Sequence, residues 1–162
     1  MNYKRALAFL LPALLFSPVA AQEPPAAYSV KTEDVCEAAL RYSFRMEGTD
    51  GAKTICVSSA VPLSLDFIHR FAKNDPAVVW SIRCTSSFWG GVRDSRTNEP
   101  AVGFEIASVR WVSSEEALVK VSSPRGHLPS RERKIHMVRY GQSWRAGPDS
   151  EATRLWSGQL VN

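Results

Sequence analysis

The chain has 162 residues, with 20 lysines and arginines against 16 aspartates and glutamates, a formal net charge of +4. Two of the bases, Lys4 and Arg5, fall in an N-terminal segment expected to be removed, which leaves 18 against 16, or +2. That balance does not provide the strong basic patch that nucleic-acid binding demands, and the length suits one domain with a single core.

From the N-terminus, Lys4 and Arg5 form a short positive head, and residues 6–16 form an apolar run of signal-peptide length. Residues 17–21, SPVAA, place Val19 and Ala21 at the two positions a signal peptidase reads, so cleavage is expected after Ala21. The run is short for a bilayer span, Pro12 and Pro18 interrupt it, and no second apolar span follows. The expected product is periplasmic or secreted. It divides into a signal peptide (1–21), a leader (22–30), one domain (31–158) and a short tail (159–162).

Cys36, Cys56 and Cys84 all survive this cleavage, and an oxidising compartment permits one bridge with one thiol left over. Cys56 lies in the apolar run TICVSS and Cys84 follows AVVWSI, so both read as strand-borne. Cys36 falls on a helical apolar stripe, where a free cysteine packs as a small hydrophobe. Of three possible pairings, Cys56–Cys84 is the expected one.

Pro24 and Pro25 give the leader an extended backbone. Thr32 reads as a helix cap, with Glu33 and Asp34 in the first turn. Val35, Ala39, Tyr42 and Met46 then recur at helical spacing, and Gly48 ends the helix. A strand is expected over residues 53–59. A second short helix is expected after Pro62, capped by Ser64, with Leu65, Ile68, Phe71 and Ala72 as its buried edge. Residues 77–85 read as a strand, and residues 86–101, SSFWGGVRDSRTNEPA, as a loop without period. In GFEIASVRWVSSEEALVKVSS (103–123) the alternation changes phase near Ala107-Ser108, as a β-bulge would cause, and residues 113–116 form a hairpin tip. Ala117, Val119 and Val121 face inward. After the polar loop PRGHLPSRE, a strand carries Ile135 and Met137 on one face and His136, Val138 and Tyr140 on the other. Gly141-Gln142 suits a type II′ turn into a last strand bearing Trp144, with Leu155-Trp156 closing the edge. The predicted class is α+β: two N-terminal helices packed on a curved antiparallel sheet.

The stretch 103–123, the strand after it, YGQSWRA and the final LWS are similar to those of small exported bacterial proteins of unassigned function. The helix-then-curved-sheet order resembles the NTF2-like superfamily, with the cystatin-like fold as the near alternative. Such cones hold small ligands, act as enzymes or serve as docking modules, so the resemblance implies a fold and no single activity.

Reactive constellations are sparse. His69, His127 and His136 lack metal-ligand spacing, no G-x-S-x-G elbow occurs, and no cofactor is implied. A proton-transfer site of the ketosteroid-isomerase kind, which the resemblance allows, has only Asp66, His136, Tyr42 and Tyr140 to recruit. Trp89, in the unpatterned Phe88-Trp89-Gly90-Gly91, is an aromatic anchor candidate, with a plug over the sheet's open end as its ordinary role. Arg125, Arg131 and Arg133 cluster near one hairpin with Lys134, Arg139 and Arg145 nearby. Alternation puts Arg131 and Arg133 on one face, ordinarily a solvated one. Arg125, Arg131, Arg133, Trp89 and Tyr140 are the candidate contacts for a partner or small ligand. The expected function is a non-catalytic exported domain binding an envelope protein or small ligand. The rivals are a cone-type enzyme and an envelope inhibitor or immunity protein.

Overall fold

The computed structural model describes residues 30–49, 51–87, 91–125, 128–148 and 150. The expected signal cleavage after Ala21, and Trp89, His127 and the Leu155-Trp156 edge, lie outside the described residues.

Helix α1 (Val30–Glu47) opens the fold, two residues before the expected cap at Thr32. Its buried stripe is Val35, Cys36, Ala39, Leu40, Ser43 and Phe44, with Tyr42 and Met46 at the margin. Strand β1 (Thr54–Ser59) follows, then β2 (Ala77–Trp80), β3 (Cys84–Ser87), β4 (Gly91–Asp94), β5 (Pro100–Trp111), β6 (Glu116–Arg125), β7 (Leu128–Tyr140) and β8 (Ser143–Ala146). The strands form a curled half-barrel in the order β2-β1-β5-β6-β7-β8, with the β3–β4 hairpin joined through β4 to the start of β5.

The sheet is mixed, where the sequence predicted an antiparallel one. β1 runs parallel to both β2 and β5, and every other pairing is antiparallel. The chain between β1 and β2 is long enough to cross back to its starting end, which a parallel neighbour requires and a tight hairpin forbids.

The predicted second helix is a 3₁₀ helix, Leu65–Phe71, and its buried side chains are Phe67 and Phe71. Of the expected edge, Phe71 is buried and Ile68 half-buried against the core, but Leu65 is 87% exposed and Ala72 is exposed, and Phe67, which was not expected, is buried instead. Seven residues are too few to repay α-helix nucleation on their own, and packing decides their course. Two phenyl rings bury more area than one leucine and find aromatic neighbours: Phe71 packs 5.9 Å from Phe44, and Phe67 packs 6.1 Å from Trp80.

The expected strand 77–85 is interrupted by a single 3₁₀ turn, Ser81–Arg83, and the unpatterned segment after it forms most of the β3–β4 hairpin. The Cys56–Cys84 disulfide fastens this hairpin to β1. By the chain-entropy estimate a bridge of that span contributes about 3–4 kcal/mol. Cys36 is free and buried in the core; burial, then the Glu33 carboxylate, pushes its thiol up to about 12.

The expected bulge is present: the β5–β6 register slips between Ile106 and Ser108. The slip keeps Phe104 and Ile106 on the same face as Val109 and Trp111 and bends the strand. The PRGHLPSRE segment belongs largely to strands, because β6 continues to Arg125 and β7 begins at Leu128. Gly141, at φ 63, makes the β7–β8 turn with glycine in its first central position. Gly103 is required for space, since a Cβ there would stand 2.9 Å from Pro124 Cγ.

The core lies between α1 and the concave face: Leu40 and Phe44 above, Ile55, Phe104, Ile106, Val119, Ile135 and Met137 below. Phe67→Ala is expected to lower the unfolding free energy by about 3–5 kcal/mol in urea denaturation, and Leu65→Ser to change it by less than about 0.5 kcal/mol. Equal effects would contradict the observed division of the 3₁₀ helix.

Candidate functional site

The concave face is filled by side chains, and the described depressions lie at the rims of the sheet. The larger depression is a groove of about 700 Å³ between α1 and β8. Helical spacing brings Asp34, Ala38, Tyr42 and Arg45 down one side of α1, with Glu37 and Arg41 alongside. The turn and strand opposite supply Gln142, Ser143, Trp144, Arg145 and Ala146.

Three carboxylates stand near the N-terminal end of this groove, and all are satisfied. Arg70, from the 3₁₀ helix, donates from Nη1 to Asp34 (2.7 Å) and Glu37 (3.1 Å) and from Nη2 to Glu33 (3.2 Å). Arg41 donates from Nε to Glu37 (2.9 Å) and from Nη2 to the Arg70 carbonyl (2.7 Å), and its guanidinium carbon lies 4.8 Å from the Phe71 ring centroid. Glu33 also accepts the Ser64 backbone N–H at 2.8 Å. Burial alone would raise the Glu33 pKa, but the Ser64 and Arg70 bonds hold it below the usual range. The network therefore ties the 3₁₀ helix to α1.

The other end differs. Arg45 is exposed and, among the described residues, makes no ion pair; Arg145, opposite Val138 and so on the convex side of β8, has the Tyr140 ring 5.9 Å from its guanidinium carbon. The floor is apolar and aromatic: Trp144 is buried and packs edge-to-face on Trp111 at 5.6 Å, and the buried Tyr42 hydroxyl has no hydrogen-bond partner among the described residues.

A second, smaller depression, about 350 Å³, sits where α1 ends, lined by Glu47, Gly48, Thr49, Val92 and Pro124 among others. Beside it the expected arginine cluster divides. Arg131 and Arg133 do share a face, but it is the one carrying Ile135 and Met137 toward α1. Arg133 is 8% exposed and pairs with Glu47 at 3.5 Å, and its buried Nε has no partner among the described residues. Arg131, farther from Ile135 along the same face, is exposed. The solvated-face reading thus fails for Arg133, because period-two alternation carries it inward under the helix terminus. The side chain of Arg125 lies outside the described residues, and Tyr140 is 55% exposed on the convex face.

The four residues available for proton transfer do not meet. Asp66 faces His69 at 3.5 Å with both exposed, and His136 faces Glu116 at 3.4 Å on the convex side. Tyr42 lies in the groove and Tyr140 on the convex face. Among the described residues no three His, Cys, Asp or Glu side chains converge to hold a metal ion.

Asp94, which sequence reasoning passed over, is the most constrained acid. It is 1% exposed, enclosed by its own partners although Arg93 and Ser95 beside it are exposed. Arg83 donates to both its oxygens (2.7 and 3.4 Å), the Arg96 N–H donates at 2.9 Å and the Thr54 hydroxyl at 3.2 Å. The Arg83 bond, then the Arg96 bond, holds its pKa down to about 2. An aspartate opening the turn DSRTN was the available signal.

No family model, curated protein or solved structure matches the chain.

Because the Asp94 carboxyl is depressed from its ordinary value near 3.8 to about 2, its stabilisation is complete above pH 4 and disappears as pH falls through 2. Asp94→Asn should accordingly be less stable than wild type at pH 7, with the gap in thermal midpoint closing between pH 4 and 2. A gap independent of pH would show that the carboxylate charge is not what matters. Removing the Glu47 carboxylate (Glu47→Ala) should cost about 3–5 kcal/mol in chemical denaturation by leaving Arg133 buried and unpaired, whereas Glu47→Leu with Arg133→Met should recover most of it.

Proposed function

We propose that this protein is a non-catalytic binding module of the cell envelope that docks a protein partner in the groove between α1 and β8. A single observation carries the reading. The concave face, which in a hollow cone would receive a small molecule, is occupied by Leu40, Phe44, Phe104, Ile106, Val119 and Met137, all at most 8% exposed. The larger described depression is open, runs along a helix and a sheet edge, and mixes charged, aromatic and apolar side chains, a composition that suits macromolecular docking. Within this reading the helix over a curled sheet is a packed relative of the NTF2-like or cystatin-like arrangement. Export is supported by the N-terminal pattern and by the Cys56–Cys84 bridge. Inhibitor or immunity action is the special case in which the docked protein is a hydrolase or toxin.

Photo-crosslinking residues placed at Ala38 or Gln142 should capture one and the same protein in the envelope of living cells, and residues at Ser108 or Ser130 should not. Equal capture from all four positions, or none from the groove, would defeat the proposal.

A further inference from the structure

Strand β8 ends the sheet: it pairs with β7, and among the described residues nothing pairs with its other edge. Its register is Tyr140↔Ser143, Arg139↔Trp144, Val138↔Arg145 and Met137↔Ala146. In a hairpin closed by a two-residue turn, the pair next to the turn exchanges both backbone bonds, and bonded and non-bonded pairs then alternate. Ser143 and Arg145 therefore turn their N–H and C=O groups toward β7. Gly147 continues the alternation, its N–H donating to the His136 carbonyl at 2.7 Å. Trp144 and Ala146 turn theirs outward, to the open edge that borders the groove.

Charge selects what can lie there. The Glu33, Asp34 and Glu37 carboxylates are already engaged by Arg70 and Arg41. Among the described residues Arg45 and Arg145 have no ion pair, Arg45 on the helical, concave side of the edge and Arg145 on its convex side. A strand laid along β8 would present alternate side chains to these two sides, and the apolar floor of Ala38, Trp144 and Ala146 would cover its intervening atoms.

We infer that the groove takes an extended acidic peptide segment of a partner protein, added antiparallel or parallel to the β8 edge through the backbone groups of Trp144 and Ala146, with carboxylates on Arg45 and Arg145. This rests on the docking function proposed above and specifies its ligand. Arginine recognises carboxylates in a charge-assisted, directional way, and edge addition supplies sequence-independent affinity, so the two together select charge and extended form.

The test uses the full-length protein and a fluorescein-labelled heptapeptide, Thr-Glu-Glu-Val-Glu-Glu-Thr, whose glutamates fall on both faces of an extended strand, followed by fluorescence anisotropy. The glutamate peptide should bind, and its lysine counterpart should not. The exposed-site double variant Arg45→Glu/Arg145→Glu, checked for an unchanged circular-dichroism spectrum and melting midpoint, should lose at least about tenfold in affinity. N-methylation of alternate peptide amides should abolish binding in one parity and spare it in the other, because only every second amide of an edge strand faces its neighbour. Equal binding of the lysine peptide, insensitivity to the double variant, or indifference to both methylation patterns would overturn the inference. So would binding confined to a Leu155→Ser/Trp156→Ser variant, which would give the groove to the chain's own C-terminal segment. If the peptide fails but Ala38 and Gln142 still crosslink one envelope protein, the docking function stands and only the acidic-strand chemistry falls.

Discussion

Leu40 and Phe44 of α1 press into the concave face of the sheet, where Phe44 meets Phe104 edge-on with ring centroids 4.9 Å apart. Each fully buried side chain of this kind is worth about 1.5–3 kcal/mol over its exposed state, and the rest of the architecture accommodates that burial. The sheet must curl to bring β5, β6, β7 and β8 all into contact with one helix, and the bulge between Ile106 and Ser108 lets it curl without turning its apolar residues outward. A helix seated in the concavity also excludes ligands from it. The larger described depression is then at the margin, where the helix wall meets the last strand.

Charge is distributed to serve that packing first. Arg70 and Arg41 bind the carboxylates of the first turns of α1 and thereby fix the 3₁₀ helix whose Phe67 and Phe71 close the core. Glu47 performs the corresponding task at the other helix end by accompanying Arg133 into the interior. Once these demands are met, Arg45 and Arg145 remain on either side of the β8 edge with no ion pair among the described residues.

The β3–β4 hairpin follows a different rule. It contributes little to the main core: Val92 is half-buried, and only Asp94 among its described side chains is enclosed. It is held by chemistry specific to a few atoms, namely the Cys56–Cys84 bond and the Arg83, Thr54 and Arg96 bonds to Asp94. A segment fastened this way keeps its place while its sequence is free of hydrophobic alternation.

That difference explains which parts of the molecule the sequence by itself determined. The helix over residues 30–47, the β5–β6–β7–β8 meander, its bulge and its glycine turn were legible because each depends on local periodicity or turn chemistry, and local rules are written in neighbouring residues. The strand-borne positions of Cys56 and Cys84 were legible for the same reason. The parallel setting of β1 between β2 and β5, the choice of Phe67 over Leu65, the hairpin within 86–101 and the inward turn of Arg133 were decided only by tertiary structure. Each depends on a partner distant along the chain: Ala101 for Thr54, Phe44 for Phe71, Asp94 for Arg83, Glu47 for Arg133. The groove belongs to the second group as well, because α1 and β8 lie far apart in the chain and only the curl of the sheet brings their side chains to one rim.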